Sequence, residues 1–367
     1  MTKEPIPYCK YNMARFQILS LCGGGIRGAF ITSYLNELEE KLGRPIAESF
    51  DLIAGTSTGG IIAAGLAAGK SAAEMHDFYV RYGADIFPAQ PPYKAAGLMG
   101  ALYPMANWIF KKRTGKLLDT AFRSRFHQGV LQTSFDEGFG DRRLKDINCT
   151  RLIIPAMNLT LGRPHAFRTL HLPKGVHDAD IKISDVLIAT TAAPTYFPHK
   201  QIGDYSYVDG GMWATDPSML AVAEAIRIQQ FNKRHLPKEC NEIDDIHLLS
   251  IGTGHSQYSL EPPGDDAGMV YWASRAPEVM GLSQTQGAHL PLKFFLQDRY
   301  THVNFRMTEK WPLDGVEYIP ELFRTGKRRA EETFDRINDQ FLQHLRTCFV
   351  PFTSTEEEIH VAEFGLD

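Results

Sequence analysis

The chain has 367 residues, 43% hydrophobic and 22% charged, with a formal net charge of −4; this suits a large globular unit and gives no reason to bind a DNA or RNA polymer. Its five cysteines, Cys9, Cys22, Cys149, Cys240 and Cys348, are odd in number and none pairs at metal-ligand spacing, which argues against a disulfide framework and a cysteine-held metal. The opening MTKEPIPYCK has no apolar signal core and no run approaches 18 apolar residues, so a reducing, cytoplasmic setting without a spanning helix is expected.

Residues 16–21, FQILSL, read as a buried strand that runs into three glycines. Phe30, Ile31, Tyr34, Leu35, Leu38 and Leu42 then recur at a helical period closed by Gly43, the pattern of an amphipathic helix with a glycine cap. A second strand, FDLIAG over 50–55, leads into a small-residue helix, TSTGGIIAAGLAAGK. Strand, turn and helix twice over predict an α/β fold: a mainly parallel central sheet with helices on both faces. Further strands are predicted over 151–159 and 245–254. Phe334, Ile337, Phe341, Leu345 and Phe349 mark one face of a late amphipathic helix. Two stretches read as elaborations: 85–140 as an insertion or lid, and 255–315 as less regular chain. The expected organisation is a catalytic domain over 15–305 and a helical extension over 306–367 packed on it.

Charge is uneven. Ten Lys and Arg stand against five acids between Lys111 and Arg151, leaving −9 for the rest of the chain. Just before lies GLMGALYPMANWIF, residues 97–110, followed at once by Lys111, Lys112 and Arg113. Trp108 beside that basic run suits contact with a membrane surface or another anion, and equally suits a core or lid segment with a solvated charge run.

Chemistry centres on three motifs. Gly55-Thr56-Ser57-Thr58-Gly59 matches G-x-S-x-G, in which a serine sits on a sharp strand-to-helix turn that small neighbours permit. A serine needs a base. Asp209, in YVDGG before Gly210 and Gly211, is one candidate, provided burial raises its pKa from about 3.9; a plain turn aspartate is the competing reading. His247, His255, His289 and His302 follow it in the order a Ser-Asp-His triad uses, and local context does not choose among them. The third motif, GGGIRG, spans Gly23 to Gly28. Its N–H groups can converge on an oxyanion, or Gly23, Gly25 and Gly28 can serve as a G-x-G-x-x-G dinucleotide loop. A nucleotide-binding oxidoreductase wants an acid at the end of the second strand, whereas Asp51 begins it.

Taken in order, GGGIRG, GTSTGG and DGG, with NLTLGRPHAFRT (158–169), IATTAAPTYFP (188–198) and LLSIGTG (248–254), resemble the patatin-like phospholipase family across about 16–305. The resemblance implies a three-layer fold and a lipid acyl hydrolase that works through an acyl-enzyme, without metal, cofactor or catalytic histidine. It implies Ser57 as nucleophile, Asp209 as base, and an oxyanion hole from Gly23, Gly24 and Gly25 with the Ile26 and Arg27 backbone. Where the family commonly has Asp before the glycines this chain has Cys22, expected to be inert packing. The pattern is also similar to bacterial antiphage effectors that cyclic dinucleotides or related cyclic oligonucleotides switch on. That resemblance implies a cyclic dinucleotide activator, with part of the basic 111–151 stretch as a candidate phosphate site. The implied substrate is phospholipid at the inner face of the membrane. Nothing in the sequence identifies a subunit interface, and a homo-oligomer is compatible with it.

Overall fold

A computed structural model describes residues 15–87, 124–235, 245–255, 268–307 and 311–346, together with Trp108, Lys112, Glu309, Phe349 and Pro351. The first strand, β1 (Arg15–Leu21), is buried from Phe16 onward. Parallel neighbours flank it, β2 (Leu52–Gly55) on one side and β7 (Asp245–Ile251) on the other. Covered on both faces, such strands read as unbroken apolar runs. β3 (Arg151–Asn158) continues the parallel half beside β2, and β8 (Tyr300–Val303) continues it beside β7. The other side is antiparallel. β4 (Arg163–Arg168) and β6 (Tyr205–Asp209) both pair with β3, and β5 (Lys200–Ile202) pairs with β6. The order is β5-β6-β3-β2-β1-β7-β8, with β4 on β3.

Alternate residues of each strand serve opposite layers, as the period of two requires. Leu19, Leu21, Ile53, Ile154 and Phe167 face α1 (Gly28–Leu42), α2 (Thr58–Ala67), α3 (Ala72–Tyr82) and α5 (Ile183–Thr191). Phe16, Ile18, Leu52, Ala54 and Ile153 face α6 (Ser218–His235) and α7 (Met269–Leu296). The result is a three-layer α/β fold about a mixed sheet.

Two expectations need correction. The 255–315 stretch contains α7, a helix of 28 residues. The late amphipathic helix, α8 (Ile319–Ile337), starts earlier than its apolar spacing indicates and ends in a π turn over Asn338–Leu342. Ile337 and Phe341 are buried, but Leu345 is 62% exposed, and buried Phe349 lies past the helix against the Arg151 guanidinium. The wider π turn shifts the face that a 3.6-residue period would continue. The end of the 85–140 stretch forms α4 (Gly129–Phe139), whose Leu131, Phe135 and Phe139 are core residues.

α8 packs on α1 through Gly326. A Cβ there would come within 2.6 Å of the Phe30 carbonyl oxygen. Ser33 Oγ donates to the Phe323 carbonyl at 2.8 Å, and the Tyr34 and Thr333 hydroxyls meet at 2.8 Å. Gly326→Ala should therefore cost about 1–3 kcal/mol by forcing the helices apart. Gly138→Ala, with open space around its Cβ in α4, should be neutral or gain up to about 1 kcal/mol from helix propensity. Urea unfolding of both variants checks the contrast.

Candidate active site

Ser57 occupies the turn between β2 and α2 with φ 53° and ψ −123°, a left-handed-side conformation that costs a non-glycine residue of order 1–3 kcal/mol. The flanking glycines make that turn possible. A Cβ on Gly55 would sit 2.2 Å from the Gly59 carbonyl oxygen, and one on Gly59 would sit 2.2 Å from that of Leu21. The Ser57 N–H donates to Thr190 Oγ1 at 3.0 Å, and Thr190 in turn donates to the Pro155 carbonyl at 2.7 Å. Thr56 Oγ1 donates to the Ala214 carbonyl at 2.6 Å. The serine is thus held by α5, β3 and the chain after β6.

Asp209 ends β6, its backbone in register with Ala156 of β3. Its Oδ1 accepts the Gly211 N–H at 2.7 Å, and the Ser57 hydroxyl lies near enough to its carboxylate to favour the ionised form. Burial pushes the pKa up to about 6 from an ordinary 3.8, against the opposing pull of those two donors. Gly210 is required for packing, since a Cβ would lie 2.2 Å from the Pro155 carbonyl oxygen, whereas a Cβ on Gly211 would lie 3.1 Å from Asp209 Oδ1.

The glycine loop lies beside Ser57, and a Cβ on Gly23 would be 3.3 Å from Ser57 Cβ. Of the five N–H groups expected to converge there, three are committed elsewhere. Gly23 donates to the Thr215 carbonyl at 2.9 Å, Ile26 to that of Leu313 at 2.8 Å, and Arg27 to that of Gly24 at 3.3 Å. The N–H groups of Gly24 and Gly25 have no acceptor among the described residues. Gly24 has Thr253 Oγ1 where a Cβ would be, at 2.3 Å. Gly25 adopts φ 59° with the Leu313 carbonyl oxygen 2.2 Å from its Cβ position. A Cβ on Gly28 would meet Thr58 Oγ1 at 2.1 Å. The Arg27 side chain braces the loop through Nε, 3.1 Å from the Gly24 carbonyl oxygen. No motif assigns a role to Thr190, Thr215, Thr253 or Leu313. Thr190 and Thr253 lie in the ATT and IGTG blocks, which offered a signal, while Leu313 offered none.

The four histidines are engaged elsewhere. His247 pairs with Asp245 at 2.6 Å, and the His255 backbone bridges to Phe305 and Met307. His289, His302 and Asp216 form a cluster whose ligand-type atoms lie within 4.8 Å of one another, the group among the described residues spaced to hold a metal. Hydrogen bonding gives the cluster another role. Asn304 Oδ1 accepts from Gly254 and Phe305, so its amide donates to His302 Nε2 at 3.2 Å and leaves the proton on Nδ1, facing Ser250 Oγ at 3.1 Å. Cys22 beside it is buried, its thiol pushed well above the ordinary range by burial and by Asp216. Asp51, the imperfect acid of the dinucleotide reading, is buried at the start of β2 and accepts the Gln17 N–H at 2.9 Å.

Trp108 is exposed, with the Lys112 ammonium 5.2 Å from its ring centre. Lys111, Arg113 and the rest of 97–113 lie outside the described residues. Arg125 pairs with Asp314, Lys145 with Asp180, and Arg142 caps α2 at the Ala68 carbonyl. Arg143 joins Lys145 at Asp180, so these basic residues are already engaged within the protein. No helix among the described residues is long and apolar enough to cross a membrane.

A family model described as patatin-like phospholipase matches residues 19–222, which include the glycine loop, Ser57 and Asp209. The chain belongs to this family. Curated patatin-like relatives extend over nearly the whole chain. A "cGAMP-activated phospholipase" from Escherichia coli (strain TW11681) is 33% identical over 347 residues, covering 90% of this chain and 86% of that protein. A protein of the same description from Pseudomonas aeruginosa (strain BWHPSA011 / Pa011) is 35% identical over 353 residues, 95% of each. "Patatin-like protein 2" of Arabidopsis thaliana is 30% identical over 363 residues, covering 88% and 84%. The chain is a lipid-hydrolysing esterase, and the oxidoreductase alternative for the glycine loop falls away.

A raised aspartate pKa links the site to stability. The folded protein holds the Asp209 proton more tightly than an unfolded chain does, so the carboxyl is harmless below about pH 4 and increasingly destabilising as pH rises through 6. The rise to about 6 is equivalent to about 3 kcal/mol at most. Asp209→Asn should raise stability by about 1–3 kcal/mol at pH 8, with the gain fading by about pH 4.5. Denaturant titrations at the two pH values measure this.

Proposed function

We propose that this patatin-like enzyme cleaves acyl esters of membrane phospholipids with Ser57 as nucleophile and Asp209 as base. The observation that carries the reading is the buried Asp209 carboxylate beside a serine hydroxyl on a strained turn. Asp209 takes the hydroxyl proton as Ser57 Oγ attacks the ester carbonyl carbon. A carboxylate with pKa near 6 is a better base than an exposed one, and at neutral pH it is still ionised. The tetrahedral oxyanion is held by Gly24 and Gly25, whose N–H groups are uncommitted; each such donor is worth roughly 3 kcal/mol. Gly23, Ile26 and Arg27 shape this hole and do not donate to it. The proton on Asp209 passes to the leaving alcohol. The carboxylate then activates a water that cleaves the acyl-enzyme, releasing fatty acid and free Ser57.

The activator reading rests on the two bacterial relatives described as cGAMP-activated, which align over 90% and 95% of this chain. We infer that a cyclic dinucleotide of the cGAMP class switches this enzyme on, as part of antiphage defence, against phospholipid at the inner face of the membrane. Exposed Trp108 with Lys112 above its ring is suited to an interface of apolar and anionic character.

Fatty-acid release from phosphatidylethanolamine–phosphatidylglycerol vesicles tests both parts. Wild type should release fatty acid with cGAMP and far less without it, while Ser57→Ala and Asp209→Asn should lose about 10³-fold or more. The wild-type kcat/KM should fall tenfold per pH unit below about 6. Asp209→Asn activity within tenfold of wild type would place the base elsewhere, and equal release with and without cGAMP would remove the activator.

A further inference from the structure

On the far side of β3 from Ser57, a groove of about 510 Å³ opens between β4 and α6. Arg163, His165 and Arg168 of β4 line one wall, Arg227 and Leu220 of α6 the other, and Trp213 the end nearest Asp209. The Glu224 carboxylate is buried behind the Arg168 and Arg227 guanidiniums. Arg168 Nε lies 3.1 Å from its Oε1 and the Arg227 guanidinium 2.8 Å from its Oε2, while His171 Nε2 reaches Oε1 at 3.0 Å. His165 pairs with Asp178 at 3.1 Å. Arg163 is exposed and has no carboxylate partner among the described residues. Arg163, Arg168 and Arg227 thus all border the cavity, the latter two held by Glu224 behind them, an arrangement that presents guanidinium forks to a phosphate. The indole N–H of Trp213 is already committed to the Ala156 carbonyl at 3.0 Å. Its ring offers a flat face, not a donor, with Pro164 and Leu220 completing an apolar surface for a heterocyclic base.

The groove connects to the dyad through one residue. Ala156 of β3 stands in register with His165 of β4 on one side and with Asp209 of β6 on the other. Trp213 holds the Ala156 carbonyl through its indole and the Gly210 carbonyl through its backbone N–H at 3.1 Å. A ligand seated on Trp213 and His165 therefore bears on the strand residue and the turn that fix Asp209 against Ser57.

We propose that this groove is the activator site, taking a ligand with two phosphodiester groups and flat bases, and that its occupancy sets Asp209 through Trp213 and Ala156. The proposal rests on the activator reading above and moves the phosphate contacts from the basic 111–151 stretch to Arg163, Arg168 and Arg227. The shared chemistry of a lipid headgroup is only its phosphate, which leaves Trp213 unused.

Calorimetric titration of cGAMP into the full chain, with melting temperature as the check on folding, tests the site. Arg163→Ala should weaken binding about tenfold and Arg163→Glu should abolish it, with Arg163→Lys recovering part. Arg227→Gln, which leaves Glu224 paired with Arg168 and His171, should weaken binding comparably. Hydrolysis of a soluble short-chain ester without cGAMP should stay unchanged in all four variants. Equal cGAMP affinity in wild type and all variants would overturn the groove while leaving the activator reading intact. Absence of cGAMP binding to wild type would overturn the activator reading, and the groove with it. If Arg163→Glu instead lost flotation on phosphatidylglycerol vesicles while keeping cGAMP binding, the groove would be a headgroup seat and the proposal wrong.

Discussion

A single strand, β3, sets the distance between the two functional side chains. Its first half pairs with β2, whose end carries Ser57, and its second half pairs on the same edge with β6, whose end carries Asp209. Two strands that approach from opposite directions thus deliver a hydroxyl and a carboxylate to one crevice. The crevice lies at the carboxyl ends of the parallel strands, where α/β sheets generally receive ligands. Displacing β3 would separate the pair without touching either residue.

The glycine motifs are mainly a matter of backbone contact. Gly55, Gly59 and Gly210 each stand where a Cβ would fall 2.2 Å from a carbonyl oxygen of the framework. They let α2, β1 and β3 close around Ser57 and Asp209 until the carboxylate is dry. Dryness then raises its proton affinity, the largest of the influences on it. A residue chosen for size in one element thereby decides acid–base chemistry in another.

Much of this was legible in the sequence. The apolar runs at 16–21, 50–55, 151–159 and 245–254 each contain most of β1, β2, β3 or β7, overrunning the last three by one to three residues, because strands covered on both faces are largely apolar. α7 was not legible. Pro277, Gly281, Gly287 and Pro291 interrupt its period, and Trp272, Met280, Leu290 and Phe294 are exposed where an amphipathic reading puts polar residues. Nor could sequence decide which N–H groups of the glycine loop remain available. That depends on the carbonyls of Thr215 and Leu313, which the fold brings from far along the chain. The base was visible only as one aspartate among turn aspartates, since burial is a property of the folded layers.

Pro155 gives the architecture a boundary. As a proline it brings no N–H to either neighbour, and its carbonyl is taken by Thr190 and closely approached by Gly210. β2 pairing stops at Ile153 and β6 pairing stops at Ala156, so on that edge the sheet is unzipped over two residues. A strand slip that tried to close the opening would find no donor at the proline and no room at the glycine. The fork is therefore held by covalent geometry, and it is filled by the Thr190 side chain and the Gly210 turn instead of by strand pairing.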